Sequence, residues 1–233
     1  MKKIFTVALL PLMAAITLSC SKDEPQDGQT AENLSFKAAF SNGTGGHLNT
    51  IGTPHNHLLD ELLSQHTPVT SSPAEVDSTV AAMMQQHGYP ASGCGDGNPA
   101  GLASAIVQEP MSFYKNWLPF SNLSADAATF LTAFLQEFQA IHDRDAQLVL
   151  VGSLFSDAQA DTALTTTDKE IVLTVLSIAE ASLLYGKERK DKDWETSVGN
   201  IVAAARGAQH GTPCALRLSL TAGMIQHYKN TTD

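Results

Sequence analysis

Apolar residues recur at intervals of three or four positions through most of the chain after Thr53, and this spacing constrains the fold more than any other feature. Because an α-helix turns once every 3.6 residues, such intervals place the apolar side chains on one helix face. We therefore predict an all-α fold, a single helical-bundle-like domain of five to eight helices, with the phenylalanine stripe in its core. The clearest stripes are Leu58, Leu59, Leu62 and Leu63; Val76, Val80, Met83, Met84 and His87; Phe130, Phe134, Phe138 and Ile141; Val172, Val175, Leu176, Ala179 and Leu183; and Trp194, Val198, Ile201, Val202 and Ala205.

Helix starts are marked by three hydroxyl-proline pairs, in which the hydroxyl caps the helix and proline occupies its first position. These pairs are Thr53-Pro54, Ser72-Pro73 and Thr212-Pro213. Ser72 with Glu75, and Thr167 with Glu170, also have the spacing of a capping box. We expect helix rather than strand at 147–155, loops at 92–99 and 155–166, and a solvated helix end at 143–145.

The chain opens with Met1-Lys2-Lys3, followed by fifteen uncharged residues from Ile4 to Leu18. A basic start followed by a short apolar run is typical of a secretion signal, and a membrane-spanning helix would need about 20 apolar residues. We therefore predict a signal peptide at 1–19.

Leu18-Ser19-Cys20 resembles the lipobox of bacterial lipoproteins, although Thr17 stands where that pattern favours leucine. The resemblance implies that Cys20 is the lipidation site and the first residue of the mature chain. An ordinary cleaved signal followed by an unrelated cysteine is the alternative. The next residues, Ser21-Lys22-Asp23-Glu24, are similar to the export signal of Bacteroidota surface lipoproteins, which implies a lipid-anchored protein at the outer membrane, facing the cell exterior. The alternative is a solvated acidic linker on a protein that stays on the periplasmic side.

Residues 20–46 are polar and glycine-rich without a sustained apolar period, so we predict a lipidated flexible tether there and an all-helical domain at 47–233. Removal of the signal leaves 12 of the 14 basic residues against 24 acidic ones, a net charge near −12. Such a surface repels nucleic acid and anionic headgroups. We expect no nucleic-acid partner, and membrane attachment through the lipid anchor alone.

Cys94 and Cys214 remain if Cys20 is acylated, and an exported protein reaches an oxidising compartment. The two cysteines form either a disulfide or two separate buried thiols. A bridge would stabilise the chain by about 4 to 5 kcal/mol in the loop-entropy model.

The segment Gly52 to Asp60 is similar to a Gly-x-x-His-Asn-x-x-Leu-Asp segment found in Bacteroidota lipoproteins of uncharacterised function. His55, Asn56 and Asp60 are its candidate functional residues. Either His55 and Asn56 are buried, hydrogen-bond the backbone of a neighbouring loop and hold the first helix in place, or they line a site with His55 as general base.

A zinc site built on His55 and His57 is disfavoured, since residues two apart on a helix point to different faces. The remaining histidines are scattered, so we expect no metal and no organic cofactor. Ser112-Phe113-Tyr114-Lys115 has the serine-x-x-lysine spacing of penicillin-recognising enzymes but lacks their companion motifs. Ser78 and Thr162 follow aspartates in the pattern of the Bacteroidota O-glycosylation sequon, which makes them possible glycosylation sites.

Taken together, these features predict a non-enzymatic binding or interaction module with an unknown protein or glycan partner. The alternative is a cell-envelope hydrolase that uses the His55, Asn56 and Asp60 cluster. The sequence does not identify a ligand or substrate.

Overall fold

The computed structural model describes residues 51–65, 72–91, 93–94, 97–189 and 198–232. The predicted signal peptide at 1–19, Cys20 and the predicted tether at 20–46 lie outside the described residues. The described residues form nine α-helices, one 3-10 turn and no strand, which confirms the all-α prediction. The number of helices exceeds the five to eight that the sequence predicts. The helices are α1 (Gly52–Ser64), α2 (Pro73–Gln86), α3 (Pro99–Gln108), α4 (Pro110–Trp117), α5 (Ala125–Ala140), α6 (Arg144–Ala160), α7 (Thr166–Arg189), α8 (Val198–Ala208) and α9 (Thr212–Thr232), with the 3-10 turn at Leu118–Phe120.

The last helix, α9, lies at the centre of the domain. It contacts α1, α2, α3, α7 and α8, and every residue from Cys214 to Ile225 except the half-buried Arg217 is buried. The predicted stripes face this core: Leu58, Val80, Phe134 and Phe138 are each almost fully buried. Trp194, which we placed on one of these stripes, lies outside the described residues.

Three of the predicted helix starts are displaced from their expected residues. Helix α9 begins at Thr212 itself and the Gly211 carbonyl accepts from the Ala215 amide, so Thr212 does not cap it. Ser72 forms the capping box with Glu75 as expected. In contrast, α1 already begins at Gly52 and buries Pro54, so Thr53 does not cap it.

The capping box expected at Thr167 lies two residues earlier, at Thr165. The Thr165 hydroxyl accepts a hydrogen bond from the Asp168 amide, and the Asp168 carboxylate accepts one from the Thr165 amide.

Helix α6 extends further than the sequence indicated in both directions. Asp143 accepts the Ala146 amide at 2.8 Å and starts α6, so 143–145 is a helix start rather than a solvated helix end. The helix then continues to Ala160, so only 161–165 of the loop expected at 155–166 is non-helical. Buried Ala158 explains the extension, because this last turn still packs on the core.

Helices α8 and α9 approach each other closely at Gly207. A Cβ atom added at Gly207 would lie 2.6 Å from the amide nitrogen of Ala215, and it would also overlap the carbonyl of Cys214. The two backbones approach this closely only because Gly207 has no side chain. The start of α9 therefore packs directly on the backbone of α8.

A disulfide and an ion pair join α9 to α2 and to the segment that follows α2. Cys94 and Cys214 form a disulfide that closes 120 residues, with their Cα atoms 5.2 Å apart. Arg217 donates to both oxygens of Asp77, at 2.9 and 2.7 Å, and to the carbonyl of Ala91. Together they fix the start of α9 against α2 and the chain that follows it.

We predict opposite effects for alanine at two helical glycines. Gly207→Ala should lower the free energy of unfolding by about 2 to 3 kcal/mol, because α8 and α9 must separate. Gly152→Ala is the matched control: nothing lies within 4 Å of its added Cβ, so the better helix propensity of alanine should raise stability by about 0.5 to 1 kcal/mol. Urea denaturation measures both, and equal effects would contradict the close approach at Gly207.

We also predict that Arg217→Met lowers the free energy of unfolding by about 3 to 5 kcal/mol, because Asp77, only 7% exposed, then lacks its counter-ion. The double variant Asp77→Leu with Arg217→Met should regain most of that loss, since it leaves no buried charge. Losses that simply add in the double variant would show that the ion pair is not coupled.

Candidate functional site

Helix α1 packs on α7 through two matching rows of residues. On α1 the row is Gly52, Asn56 and Asp60, and on α7 it is Ser177, Ala181 and Tyr185. Residues four apart lie one above the other on a helix face, so each row forms a continuous strip. The Gly-x-x-His-Asn-x-x-Leu-Asp segment thus supplies one side of a helix-helix contact.

Each position in these rows has a defined contact. Gly52 allows close approach, because an added Cβ would lie 3.1 Å from both the Ser177 carbonyl and the Ala181 Cβ. Asn56 donates its side-chain amide to the Ala181 carbonyl at 3.0 Å, and Tyr185 donates its hydroxyl to Asp60 at 2.8 Å. These contacts give Gly52, Asn56 and Asp60 a structural role in fixing α1.

His55 points from α1 into the core and is only 1% exposed. Since Asn56 donates its NH₂ group to Ala181, its carbonyl oxygen accepts from Nδ1 of His55 at 3.2 Å. The other ring nitrogen of a neutral imidazole is an acceptor. Nε2 of His55 therefore accepts a hydrogen bond from the Ser219 hydroxyl of α9, and the two atoms lie 3.3 Å apart.

Burial keeps His55 neutral. It lowers the pKa of His55 to about 4, because the imidazolium loses its hydration in the core, and the hydrogen bond to Asn56 opposes this only in part. At neutral pH the ring therefore carries no charge and uses both nitrogens in hydrogen bonds.

The Ser219, His55 and Asn56 side chains form a chain that resembles the order of a serine nucleophile, its base and an orienting group. However, Ser219 is 0% exposed and His55 is 1% exposed, so a substrate carbonyl cannot reach the hydroxyl in this conformation. A pKa near 4 also makes His55 a weak base at neutral pH. The arrangement acts as a buried polar contact between α1 and α9. The expected bonds to the backbone of a loop are therefore wrong: His55 bonds to two side chains, and Asn56 bonds to a carbonyl of helix α7.

A second group of polar residues lies on the outer face of α1. His57 and Glu61 are four residues apart, and His87 at the C-terminal end of α2 reaches both. The His87 Nε2 lies 2.6 Å from a Glu61 carboxylate oxygen, and the His57 and His87 rings are perpendicular with centroids 5.1 Å apart. The sequence does not reveal this group, although His57 and Glu61 have helical spacing, because nothing near them in the chain indicates His87 as their partner.

The two possible glycosylation residues differ in setting. Thr162 is exposed in the short connection between α6 and α7. Ser78 is exposed within α2, where its hydroxyl donates to the Ala74 carbonyl at 2.8 Å. Thr162 therefore lies in a connection between helices, whereas the Ser78 hydroxyl is hydrogen-bonded within its own helix.

In comparisons with known proteins, no protein-family model matches the chain, and neither the curated proteins nor the solved structures yield a match. Among the described residues, no helix combines the length and apolar character needed to cross a bilayer.

We predict that His55 makes the protein less stable as the pH falls from 6.5 towards 4. The unfolded histidine binds a proton in that range and the folded one does not, so stability rises with pH across the window and is fully present above 6.5. The free energy of unfolding should therefore fall by about 2 kcal/mol between pH 7 and pH 5 because of His55.

The measurement is urea denaturation of the wild type and of His55→Gln, whose amide is neutral throughout, at both pH values. The contributions of the other titrating groups cancel when the change in stability between the two pH values is compared for the two proteins. An equal loss of stability in the two proteins would show that His55 is not buried in the neutral form.

Proposed function

We propose that the protein is a membrane-anchored lipoprotein whose helical domain is a non-enzymatic binding module at the outer-membrane surface. The lipobox-like Leu18-Ser19-Cys20 and the acidic residues after it support the anchor and the outward orientation. The partner is a protein or a glycan, because the net charge near −12 of the mature chain disfavours nucleic acid.

One observation carries the non-enzymatic part of the proposal. His55, the candidate base of the hydrolase alternative, is almost fully buried and has both ring nitrogens in hydrogen bonds. The other two members of that cluster, Asn56 and Asp60, bond to α7. Each candidate catalytic residue therefore has a contact that accounts for its position without chemistry.

The hydrolase alternative requires α1 to move away from α9, so that Ser219 and His55 become accessible. A serine-reactive fluorophosphonate probe tests it directly. Labelling of the wild type that disappears in Ser219→Ala would favour the hydrolase, and absence of labelling at any serine favours the binding module.

We predict that Cys20→Ala moves the protein from the membrane fraction to the soluble fraction and abolishes incorporation of labelled palmitate. Several acyl chains anchor a protein stably because each buried methylene contributes about 0.8 kcal/mol. Cys94→Ala with Cys214→Ala is the matched control, and it should keep the palmitate label because those thiols form the disulfide.

Mass spectrometry of the purified wild type provides the opposing outcome. An unacylated N-terminus, or a label that persists in Cys20→Ala, would refute the anchor. Protease treatment of intact cells then tests orientation: degradation of the domain before lysis supports exposure at the cell surface, and protection until lysis indicates the periplasmic side.

A further inference from the structure

We propose that His57, Glu61 and His87 form a zinc-binding site between α1 and α2. One ligand atom from each side chain lies within 4.8 Å of the other two. This proposal does not depend on the proposed function, since it concerns a different face of α1 and needs no lipid anchor.

The residue types suit zinc better than the common oxygen-binding cations. Two imidazoles and one carboxylate are the three protein ligands of many zinc enzymes, with water in the remaining position. Magnesium and calcium prefer sites made almost wholly of oxygen atoms. Two nitrogen donors and a single carboxylate therefore favour a late first-row metal.

The distances require only small side-chain movements. With bonds of about 2.1 Å, tetrahedral zinc holds its ligand atoms roughly 3.4 Å apart. The atoms here are 2.6 Å apart for His87 and Glu61 and no more than 4.8 Å apart for any pair, so the required spacing lies between these values. Zinc would replace the hydrogen bond between His87 and Glu61.

The backbone positions of the three ligands are already set. His57 and Glu61 share one face of α1. His87 is the C-cap of α2, and the chain beyond it is fixed by two hydrogen bonds: Gly88 donates to Gln85 at 3.0 Å and Tyr89 donates to Met84 at 2.8 Å. This is the Schellman arrangement, and Gly88 adopts the positive φ of 78° that it requires.

The site is also open to an entering ion. His57 is exposed, and the Glu61 and His87 side chains are each 30% exposed. A zinc ion held by these three residues would keep at least one coordination position towards solvent, where water or a donor atom from another molecule can bind. His55 is excluded as a ligand, because its ring lies on the core side of α1 and bonds to Ser219.

The sequence-based expectation of no metal did not include this group of residues. The expectation rests on His55 and His57, whose side chains point to different faces of α1. In the sequence, His87 is one of several scattered histidines. The fold pairs His57 with Glu61 and delivers His87 from α2, which supplies the ligands that the sequence pattern lacked.

The experiment is a calorimetric titration of the full-length protein, purified without a polyhistidine tag, with zinc chloride. We expect one zinc ion per chain and a rise in melting temperature. His57→Ala, Glu61→Gln and His87→Ala should each weaken binding about tenfold or more, since each removes or neutralises a ligand. Cobalt, used as a spectroscopic substitute, should give the visible absorption bands of a tetrahedral site in the wild type and lose them in the variants.

His142→Ala and His210→Ala are the matched controls, because both side chains are exposed and lie outside the cluster. They should bind zinc as the wild type does, whereas magnesium should not bind any of the proteins. His57→Ala keeps the test independent of folding, since removing an exposed side chain should leave the metal-free melting temperature unchanged.

Two results would overturn the proposal. One is a wild-type protein that shows neither heat of binding nor a change in melting temperature with excess zinc. The other is zinc binding that persists in all three site variants, which would place the ion at other residues.

Discussion

The structure depends on a central helix that is buried on nearly all sides and yet carries polar groups. A helix in such a position is normally apolar all round, but α9 presents Arg217, Ser219 and Thr221. A buried polar group without a partner costs about 1 to 3 kcal/mol, so the surrounding helices must provide partners. Asp77 of α2 accepts from Arg217 and from Thr221, and His55 of α1 accepts from Ser219.

These requirements set the rotation of α1 about its own axis. Once His55 faces Ser219, each following residue is turned by about 100°, so His57 lies on the opposite side of the helix. Glu61, four residues later, returns to the face of His57. The contact with α9 therefore separates one histidine that holds the core together from another that is accessible to an ion.

The sequence predicted the helices well because their signal is local. The spacing of Phe134 and Phe138 required no knowledge of their partners, and both are buried as expected. The polar pairs could not be predicted in this way, since 164 residues separate His55 from Ser219 and 140 separate Asp77 from Arg217. Helix boundaries could be predicted only in part. Thr165 and Thr167 are equally good caps by residue type. The buried Asp168 carboxylate selects Thr165, because it accepts hydrogen bonds from the Thr165 and Ser124 amides.

The same central helix also preorganises the ligands of the proposed zinc site. Its ligands come from two helices, and α9 holds each of them: α1 through His55, and α2 through the Asp77–Arg217 ion pair. The disulfide at Cys214 and the bond from Arg217 to Ala91 tie down the chain just beyond His87. Zinc would therefore bind between helices that are already fixed, so that little conformational entropy is lost on binding. A small zinc finger, in contrast, folds only when the metal binds.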